Sequence, residues 1–237
     1  MALIFMIMST LLSACHSQES SLPKHLYKKG DNSNGPAPLV IMLHGYGSNA
    51  DDLFSLANDF PKNTHVVSFN GLNAMGNDSY AWFQFDVKPD GTRSIDEQQE
   101  KRSREAIEKW IPELLKETGA DPKNVYLFGF SQGAIMSSSI LVERPDLIKG
   151  IMALSGRYLP TTNSLRKDKK DYLGRYAFVA HGYNDQVLPY NNGEKLKEEL
   201  NNTGVPEAFK TYCGMGHSIS TDEMKDVINW FNWALSN

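Results

Sequence analysis

The chain has 237 residues, of which 41% are hydrophobic, 22% charged and 11% aromatic. This composition excludes a wholly disordered chain, a collagen-like repeat and a coiled coil, and the length suits one large α/β domain. The 24 basic and 28 acidic residues give a net charge of −4 without a long block of one sign, so nucleic acid is a poor candidate partner. With Cys15 and Cys213 as its two cysteines, the chain alone builds neither a disulfide framework nor a cysteine-based zinc site.

The N-terminal stretch predicts a cleaved leader. Residues 2–12 are uncharged and almost all apolar, which is too short for a mature membrane span but has the length of a signal-peptide core. The next four residues, Leu12-Ser13-Ala14-Cys15, resemble the bacterial lipobox. They predict a signal peptide over residues 1–14, lipidation of Cys15 and a membrane-anchored location in a bacterial cell envelope. The alternatives are an apolar helix packed on the domain or a misplaced start codon, and the protein would then be cytoplasmic.

Residues 15–37 are polar and rich in Ser, Lys, Asn, Gly and Pro. They predict a flexible tether, interrupted by one edge strand at His25-Leu26-Tyr27. The catalytic domain is therefore predicted to cover residues 38–237.

Five short apolar runs in this domain predict strands that are buried on both faces of a sheet. They are Pro38–Leu43, Val66–Phe69, Val125–Phe128, Ile151–Leu154 and Ala177–Ala180, and each leads within two residues into a glycine. Amphipathic helices are predicted from Ile95 to Gly119, with Ser94 and Glu97 as a capping box, and from Asp222 to Leu235. This alternation predicts an α/β fold with a mostly parallel sheet and helices on both faces.

The run from Val125 leads directly into Gly129-Phe130-Ser131-Gln132-Gly133 and then into an apolar helical stretch. A G-x-S-x-G sequence fits a sharp strand-to-helix turn that holds a nucleophilic serine above the sheet. The pattern is weak alone, but the flanking strand and helix give Ser131 the required context.

A serine nucleophile needs a base and an acid. In a fold of this type the acid, Asp or Glu, comes next in the chain after the serine, and the base, His, comes last. Asp185 lies just after the strand that ends at Ala180, whereas Asp146 lies in a turn. His181 and His217 are the two histidines after Ser131, and only His217 follows Asp185. We therefore predict Asp185 as the acid and His217 as the base, with the alternative that a histidine after a strand is purely structural.

The oxyanion of such a reaction needs backbone donors. The N–H of Gln132, directly after the nucleophile, is one candidate, and the loop after the first core strand supplies the second. We assign the second to Tyr46 and expect His44, which precedes Ser131, to hold this loop in place.

These motifs together resemble the phospholipase/carboxylesterase family of α/β hydrolases, which includes the acyl-protein thioesterases. The resemblance rests on Leu43-His44-Gly45-Tyr46-Gly47-Ser48-Asn49-Ala50-Asp51-Asp52-Leu53, Ala81-Trp82-Phe83, Gly129 to Gly133, His181-Gly182 with Asp185, and Gly216-His217. It implies an α/β-hydrolase fold without a large lid domain, the triad predicted above, and chemistry that needs neither a metal nor an organic cofactor. The family usually has Leu where this chain has Tyr46, and Asp where it has Gln84.

The resemblance also implies that Trp82 and Phe83 line the acyl site, although both could equally be core aromatics. Cys213 is expected to be a small buried hydrophobe. Because the loop from Arg157 to Gly174 is mostly polar and encodes no apolar lid, we expect hydrolysis of small esters with short to medium acyl chains. The alternatives are an acyl-protein thioesterase or lysophospholipase, and a surface lipoprotein that only binds.

Overall fold

A computed structural model of the protein describes residues 22–33, 35–89 and 92–237. The predicted signal peptide over residues 1–14 and the predicted lipidation site Cys15 lie outside the described residues. The strands are β1 His25–Lys28, β2 Leu39–Leu43, β3 His65–Phe69, β4 Asn73–Gly76, β5 Ser79–Ala81, β6 Phe85–Val87, β7 Arg93–Ile95, β8 Val125–Phe130, β9 Gly150–Leu154, β10 Tyr176–Gly182 and β11 Glu207–Tyr212. The helices are α1 Ala50–Phe54, α2 Glu97–Thr118, α3 Gln132–Glu143, α4 Asn191–Thr203 and α5 Thr221–Leu235.

Seven strands form the central sheet in the order β1-β3-β2-β8-β9-β10-β11. All pairs are parallel except β1 with β3. Each residue of β2, β3 and β9 is buried, as expected for apolar strands covered on both faces. The predicted mostly parallel sheet is confirmed, and two short antiparallel hairpins, β4–β5 and β6–β7, lie outside it.

Two hydrophobic clusters lie on opposite faces of the sheet, because alternate strand residues point to opposite sides. One cluster contains apolar residues of α2, α3 and α4, and the other contains those of α1 and α5. The predicted placement of helices on both faces is therefore confirmed. Among the described residues, none of the helices combines the length and the apolar character needed to cross a bilayer.

The edge strand β1 joins part of the polar N-terminal stretch to the sheet. The hydroxyl of Tyr27 contacts Nδ1 of His65 at 2.7 Å, and Lys28 Nζ donates to the carbonyls of Ala57 and Phe60. Polar side chains that bond to the domain therefore hold this segment against β3.

The start of α2 differs from the sequence prediction. The N-cap is Asp96, whose Oδ1 accepts from the backbone N–H groups of Gln98 and Gln99. Ser94 cannot cap the helix because it pairs with Asp86 in the β6–β7 hairpin. The predicted capping box was therefore wrong by two residues, because the apolar pattern did not indicate the hairpin strand that ends at Ile95.

The loop from Arg157 to Gly174 contains two short 3₁₀ helices instead of a lid. Arg166 pairs with Glu199 on α4 and donates to the hydroxyl of Tyr158, so this part of the charged segment is anchored to the domain. Three of its apolar residues, Tyr158, Leu159 and Tyr172, are buried in the cluster that contains α2, α3 and α4.

Candidate active site

The carboxyl ends of parallel strands meet at one edge of the sheet, and four of them carry the predicted site residues. The loop after β2 carries Tyr46, the turn after β8 carries Ser131, and the loops after β10 and β11 carry Asp185 and His217. Strand order alone therefore brings together residues from four distant parts of the chain.

The turn at Ser131 is backbone-strained, with φ 53° and ψ −112°. Glycines allow this turn, because a Cβ at Gly129 would collide with the carbonyl of Gly133, and a Cβ at Gly133 with that of Leu43. A positive φ at a serine costs about 1–3 kcal/mol, and the tightly packed strands and α3 hold the residue there. The turn presents the hydroxyl at the edge of the sheet, at the first turn of α3.

The three predicted triad side chains form one continuous hydrogen-bond chain. The Ser131 hydroxyl lies 2.9 Å from His217 Nε2, and His217 Nδ1 lies 2.7 Å from Asp185 Oδ2. The imidazole also packs against the ring of Phe130, with ring centroids 4.9 Å apart. In this arrangement Nδ1 donates to the carboxylate, which leaves the Nε2 lone pair to accept the serine proton.

Asp185 is buried but fully engaged. Its Oδ1 accepts hydrogen bonds of 2.8 Å from the backbone N–H groups of Val187 and Leu188, while Oδ2 faces His217. These contacts orient the carboxylate and compensate for its loss of water.

The other two histidines near this edge serve structure. His181 donates from Nε2 to the carbonyl of Leu188, and His44 accepts from the N–H of Gly71 while its Nδ1 faces the carbonyl of Gly45. Burial lowers the pKa of both imidazoles, which keeps them neutral. His44 thus holds the loop after β2, as expected.

The predicted oxyanion donors lie beside the nucleophile. Tyr46 and Gln132 line the same small cavity as Ser131, and the loop after β2 passes so close that a Cβ at Gly45 would lie 3.4 Å from the Ser131 Cβ. Among the described residues, no acceptor is bonded to the backbone N–H of either Tyr46 or Gln132. Two free N–H groups at this position are what an oxyanion requires.

The structure separates the two aromatic residues that were predicted to line the acyl site. Phe83 lines the cavity, but Trp82 is wholly buried, and its indole N–H donates to the carbonyl of His44. Of the two alternatives that the sequence left open for Trp82, the structure shows the core aromatic; a core tryptophan and a pocket tryptophan have the same local sequence. The side-chain amide of Gln132 fixes this segment by accepting from Trp82 N–H at 2.8 Å and donating to the Phe83 carbonyl at 2.7 Å.

The two positions that depart from the family pattern contact each other. The Tyr46 hydroxyl donates to Gln84 Oε1 at 2.6 Å, and the Tyr46 ring packs against Phe85 at a centroid distance of 4.8 Å. An ionised Asp at position 84 would also accept this bond, but Leu at position 46 could not donate it. The hydrogen bond to Gln84 and the contact with Phe85 therefore hold the Tyr46 side chain, which lines the cavity.

Sequence reasoning missed two arginines at the cavity, Arg93 and Arg157. Arg157 lies three residues after β9, at the same edge as the triad, so its position after a strand was an available signal. Arg93 lies on the β6–β7 hairpin, whose short strands have no hydrophobic pattern that would predict them. Cys213 is exposed, and the expectation of a buried thiol was wrong because the turn after β11 places it at the surface.

Comparisons with known proteins identify the family and the fold. A family model described as Phospholipase/Carboxylesterase matches residues 31–235. Acyl-protein thioesterase 1 of Kluyveromyces lactis is 26% identical over 232 residues, which cover 90% of this chain and 99% of the relative. The Saccharomyces cerevisiae protein of the same name is 30% identical over 160 residues, which cover 66% of this chain and 70% of the relative. A Bacillus cereus carboxylesterase structure superposes with a TM-score of 0.78 at 24% identity, covering 92% of this chain and 97% of that one. The chain therefore belongs to the phospholipase/carboxylesterase family of α/β hydrolases.

Proposed function

We propose that this protein is a serine esterase that hydrolyses carboxylic esters of short to medium acyl chains through an acyl-enzyme on Ser131. The observation that carries the proposal is the unbroken hydrogen-bond chain from the Ser131 hydroxyl through His217 to Asp185. Membership of a family whose named relatives are carboxylesterases and acyl-protein thioesterases supports the same reaction class.

Acylation follows from this geometry. As the Ser131 oxygen attacks the ester carbonyl, its proton passes to His217 Nε2, and the Asp185 carboxylate stabilises the imidazolium that forms. The negative oxygen of the tetrahedral intermediate accepts from the N–H groups of Tyr46 and Gln132. When the intermediate collapses, the bond to the alcohol breaks and His217 returns the proton to the leaving oxygen.

Deacylation repeats these steps with water. His217 removes a proton from a water molecule, the hydroxide attacks the acyl-enzyme, and the Ser131 oxygen leaves with the proton from His217. The products are the carboxylic acid and the free enzyme, so the catalytic side chains end in their starting state.

The size of the cavity supports the chain-length part of the proposal. The space beside Ser131 is only about 30 Å³, room for about one or two water-sized groups, and Phe83, Phe85 and Ile135 close its apolar side. A short acyl group fits with small adjustments, whereas a long chain would have to leave the cavity and lie in the open cleft.

The acyl-protein thioesterase alternative is favoured by the names of two fungal relatives. The lysophospholipase alternative is supported by the family description, Phospholipase/Carboxylesterase. The binding-only alternative conflicts with the triad, because a protein that only binds has no need for a strained serine bonded to a buried His–Asp pair.

The location is a separate part of the proposal and is supported by the lipobox resemblance alone. Cleavage before Cys15 and acylation of that residue would anchor the protein to a membrane of the bacterial cell envelope. Fractionation of cells expressing wild type and Cys15→Ala, with mass measurement of the mature N-terminus, tests it. An uncleaved wild-type protein in the cytosol would contradict the anchor and leave the esterase proposal intact.

The test of the reaction is the Ser131→Ala variant on a panel of p-nitrophenyl esters from acetate to palmitate, with a palmitoyl thioester beside them. Wild type should be most active on the shorter esters, and Ser131→Ala should lose at least about a thousandfold in kcat on all of them. Ser137→Ala is the matched control, because this buried serine on α3 donates to the Gly133 carbonyl and lies outside the cavity. Rates that rise steadily to palmitate would replace the short-chain proposal with the thioesterase or lysophospholipase alternative.

A further inference from the structure

Two arginines at the mouth of the active site lack an acidic partner. Within residues 22–33, 35–89 and 92–237, no carboxylate oxygen lies within 4.0 Å of the guanidinium of Arg93 or Arg157. Among the other described arginines, Arg104, Arg144 and Arg166 each pair with at least one Glu or Asp, whereas Arg102 donates to Asn73 Oδ1 and Arg175 to the carbonyl of Pro145. Arg93 and Arg157 both line the cavity that contains Ser131, and both also line the cleft that adjoins it.

The backbone after β9 delivers Arg157 to this position. Ser155 has a positive φ of 49°, and Gly156 lies so close to α3 that a Cβ there would lie 2.7 Å from the Ala134 Cβ. The turn is therefore pressed against the first residues of the helix that follows the nucleophile. Arg157 is half-buried there, and none of the described residues accepts a hydrogen bond from it.

Arg93 reaches the same cavity from a different element. Its guanidinium lies over the ring of Phe85, 4.9 Å from the centroid, and its Nη2 donates to the carbonyl of Val187 at 3.1 Å. Val187 belongs to the turn whose N–H groups orient Asp185. Arg93 is therefore held between the β6–β7 hairpin and the turn that carries the catalytic acid.

Placing two cations together without an anion is unfavourable. Burial, and then the nearby charge of Arg93, lower the pKa of Arg157, because both disfavour its charged form. The adjoining cleft is also lined by Gln186 and Asn192, whose side-chain amides donate to the carbonyls of Asn184 and Pro189. An anion bound between the two guanidinium groups would remove the repulsion and satisfy their donors.

We propose that the ester substrate carries an oxyanion, a carboxylate or a phosphate, a few bonds from the scissile carbonyl, and that Arg93 and Arg157 bind it. This inference rests on the proposed esterase function of Ser131. The planar guanidinium donates two parallel hydrogen bonds to a carboxylate or phosphate, which is the geometry that such groups favour. The distance is short because both arginines line the same small cavity as the nucleophile. The enzyme would then select charged short esters over the neutral esters of the same length.

The first test compares matched substrates on the wild-type protein. p-Nitrophenyl hydrogen adipate and p-nitrophenyl hexanoate share a six-carbon acyl chain and differ in the terminal carboxylate. Butyryl glycerol phosphate and butyryl glycerol differ in a phosphate on the alcohol side of the ester. The release of butyrate measures the hydrolysis rate of each. We expect kcat/KM to be at least about tenfold higher for the charged member of one pair, and the pair that shows it identifies the anion and its side of the ester. This preference should shrink with added salt, because charge attraction is screened.

The second test assigns the preference to the two arginines. The ratio of kcat/KM for the charged and neutral esters should fall by about tenfold in Arg157→Gln and approach one in the Arg93→Gln, Arg157→Gln double variant, while Arg157→Lys retains part of it. Lys123→Gln removes a positive charge at the opposite end of β8 and should leave the wild-type ratio unchanged.

The ratio of kcat/KM for charged and neutral esters tests this inference separately from the esterase proposal, because a general loss of activity cancels in the ratio. A wild-type enzyme that hydrolyses neutral esters through Ser131 but gains nothing from either charge would overturn the inference alone. A preference for the charged ester that survives in the double variant would also overturn it. Loss of the esterase proposal would instead be seen as turnover that persists in Ser131→Ala.

Discussion

The catalytic centre and the mouth of the active site differ in how their charged groups are paired. At the centre, the buried Asp185 carboxylate accepts from two backbone N–H groups and from His217, so that its oxygens are satisfied within the protein. At the mouth, Arg93 and Arg157 lie side by side, and no acid among the described residues pairs with them. The hydrogen bonds of the catalytic centre are therefore formed without a substrate, whereas we propose that a substrate anion supplies the missing partner of the two arginines.

The catalytic centre and the mouth are also built on different parts of the fold. The centre is built at the ends of the parallel strands, where the sheet fixes the positions of the loops. The mouth is built on the β6–β7 hairpin, which lies outside the central sheet, and on the loop after β9, whose Gly156 packs against α3. We infer that the sheet determines the reaction and that the surrounding loops determine which ester undergoes it.

Breaking the centre should have the largest effect and should affect every substrate alike. Asp185→Asn removes the charge that stabilises the imidazolium and favours the wrong tautomer of His217, so kcat should fall about 10³- to 10⁴-fold, as in other Ser-His-Asp enzymes. The ratio for charged and neutral esters should not change. Asp146→Asn, in an exposed turn where Asp146 pairs with Arg144, is the matched control and should retain activity. Comparable losses in the two variants would remove Asp185 from the triad.

The side chain of Gln132 joins the turn at Ser131 to the segment that carries Phe83, which lines the cavity. Gln132→Ala keeps the backbone N–H of the oxyanion hole but leaves the buried N–H of Trp82 and carbonyl of Phe83 without partners. We expect a loss of about tenfold in kcat/KM, together with about 2–4 kcal/mol of unfolding free energy, measured by urea titration. The control is Gln98→Ala on the exposed face of α2. Unchanged kinetics in a destabilised Gln132→Ala would mean that the amide serves the fold alone.

A smaller change at the mouth should alter chain-length preference. Phe83→Leu opens the apolar wall of the cavity, and each further CH₂ that becomes buried contributes about 0.8 kcal/mol, so kcat/KM for the next longer ester should rise about fourfold relative to the shorter one. Phe60→Leu, a matched core change on the opposite face of the sheet, should leave the preference unchanged. An identical chain-length profile in wild type and Phe83→Leu would place the acyl group elsewhere.

The prediction with the smallest expected effect on catalysis concerns stability near the loop that carries His217. Burial, and then the charge of Asp226, raise the pKa of Glu223 to about 8. Between the ordinary carboxyl range and pH 8, the folded state keeps a proton that the unfolded state has lost, so the free energy of unfolding should fall as pH rises, by up to about 1.4 kcal/mol per unit, and level off above pH 8.

Glu223→Gln should remove this slope, since its amide does not titrate. Glu194→Gln, in the first turn of α4, is the matched control for an exposed acid and should keep the wild-type slope. Urea titrations at intervals from pH 5 to pH 9 measure both. Parallel pH curves for wild type and Glu223→Gln would assign the slope to another group.

The sequence predicted the centre better than the mouth, for a physical reason. Strands such as Leu39–Leu43 are apolar on both faces, and the turn at Ser131 needs two glycines, so both leave a pattern in the sequence. The hairpin strand Arg93–Ile95 has three residues and no apolar alternation, so its placement beside the cavity depends on tertiary packing. Trp82 illustrates the same limit, because its burial is set by contacts from distant segments.

The most direct test of the central claim is covalent labelling of Ser131. A fluorophosphonate should add one adduct per chain to the wild-type protein, seen by intact mass, and digestion should place it on the peptide that contains Ser131. Folded Ser131→Ala should not be labelled, and folded Asp185→Asn should be labelled much more slowly. An unlabelled wild-type protein, or an adduct that persists in Ser131→Ala, would contradict the account.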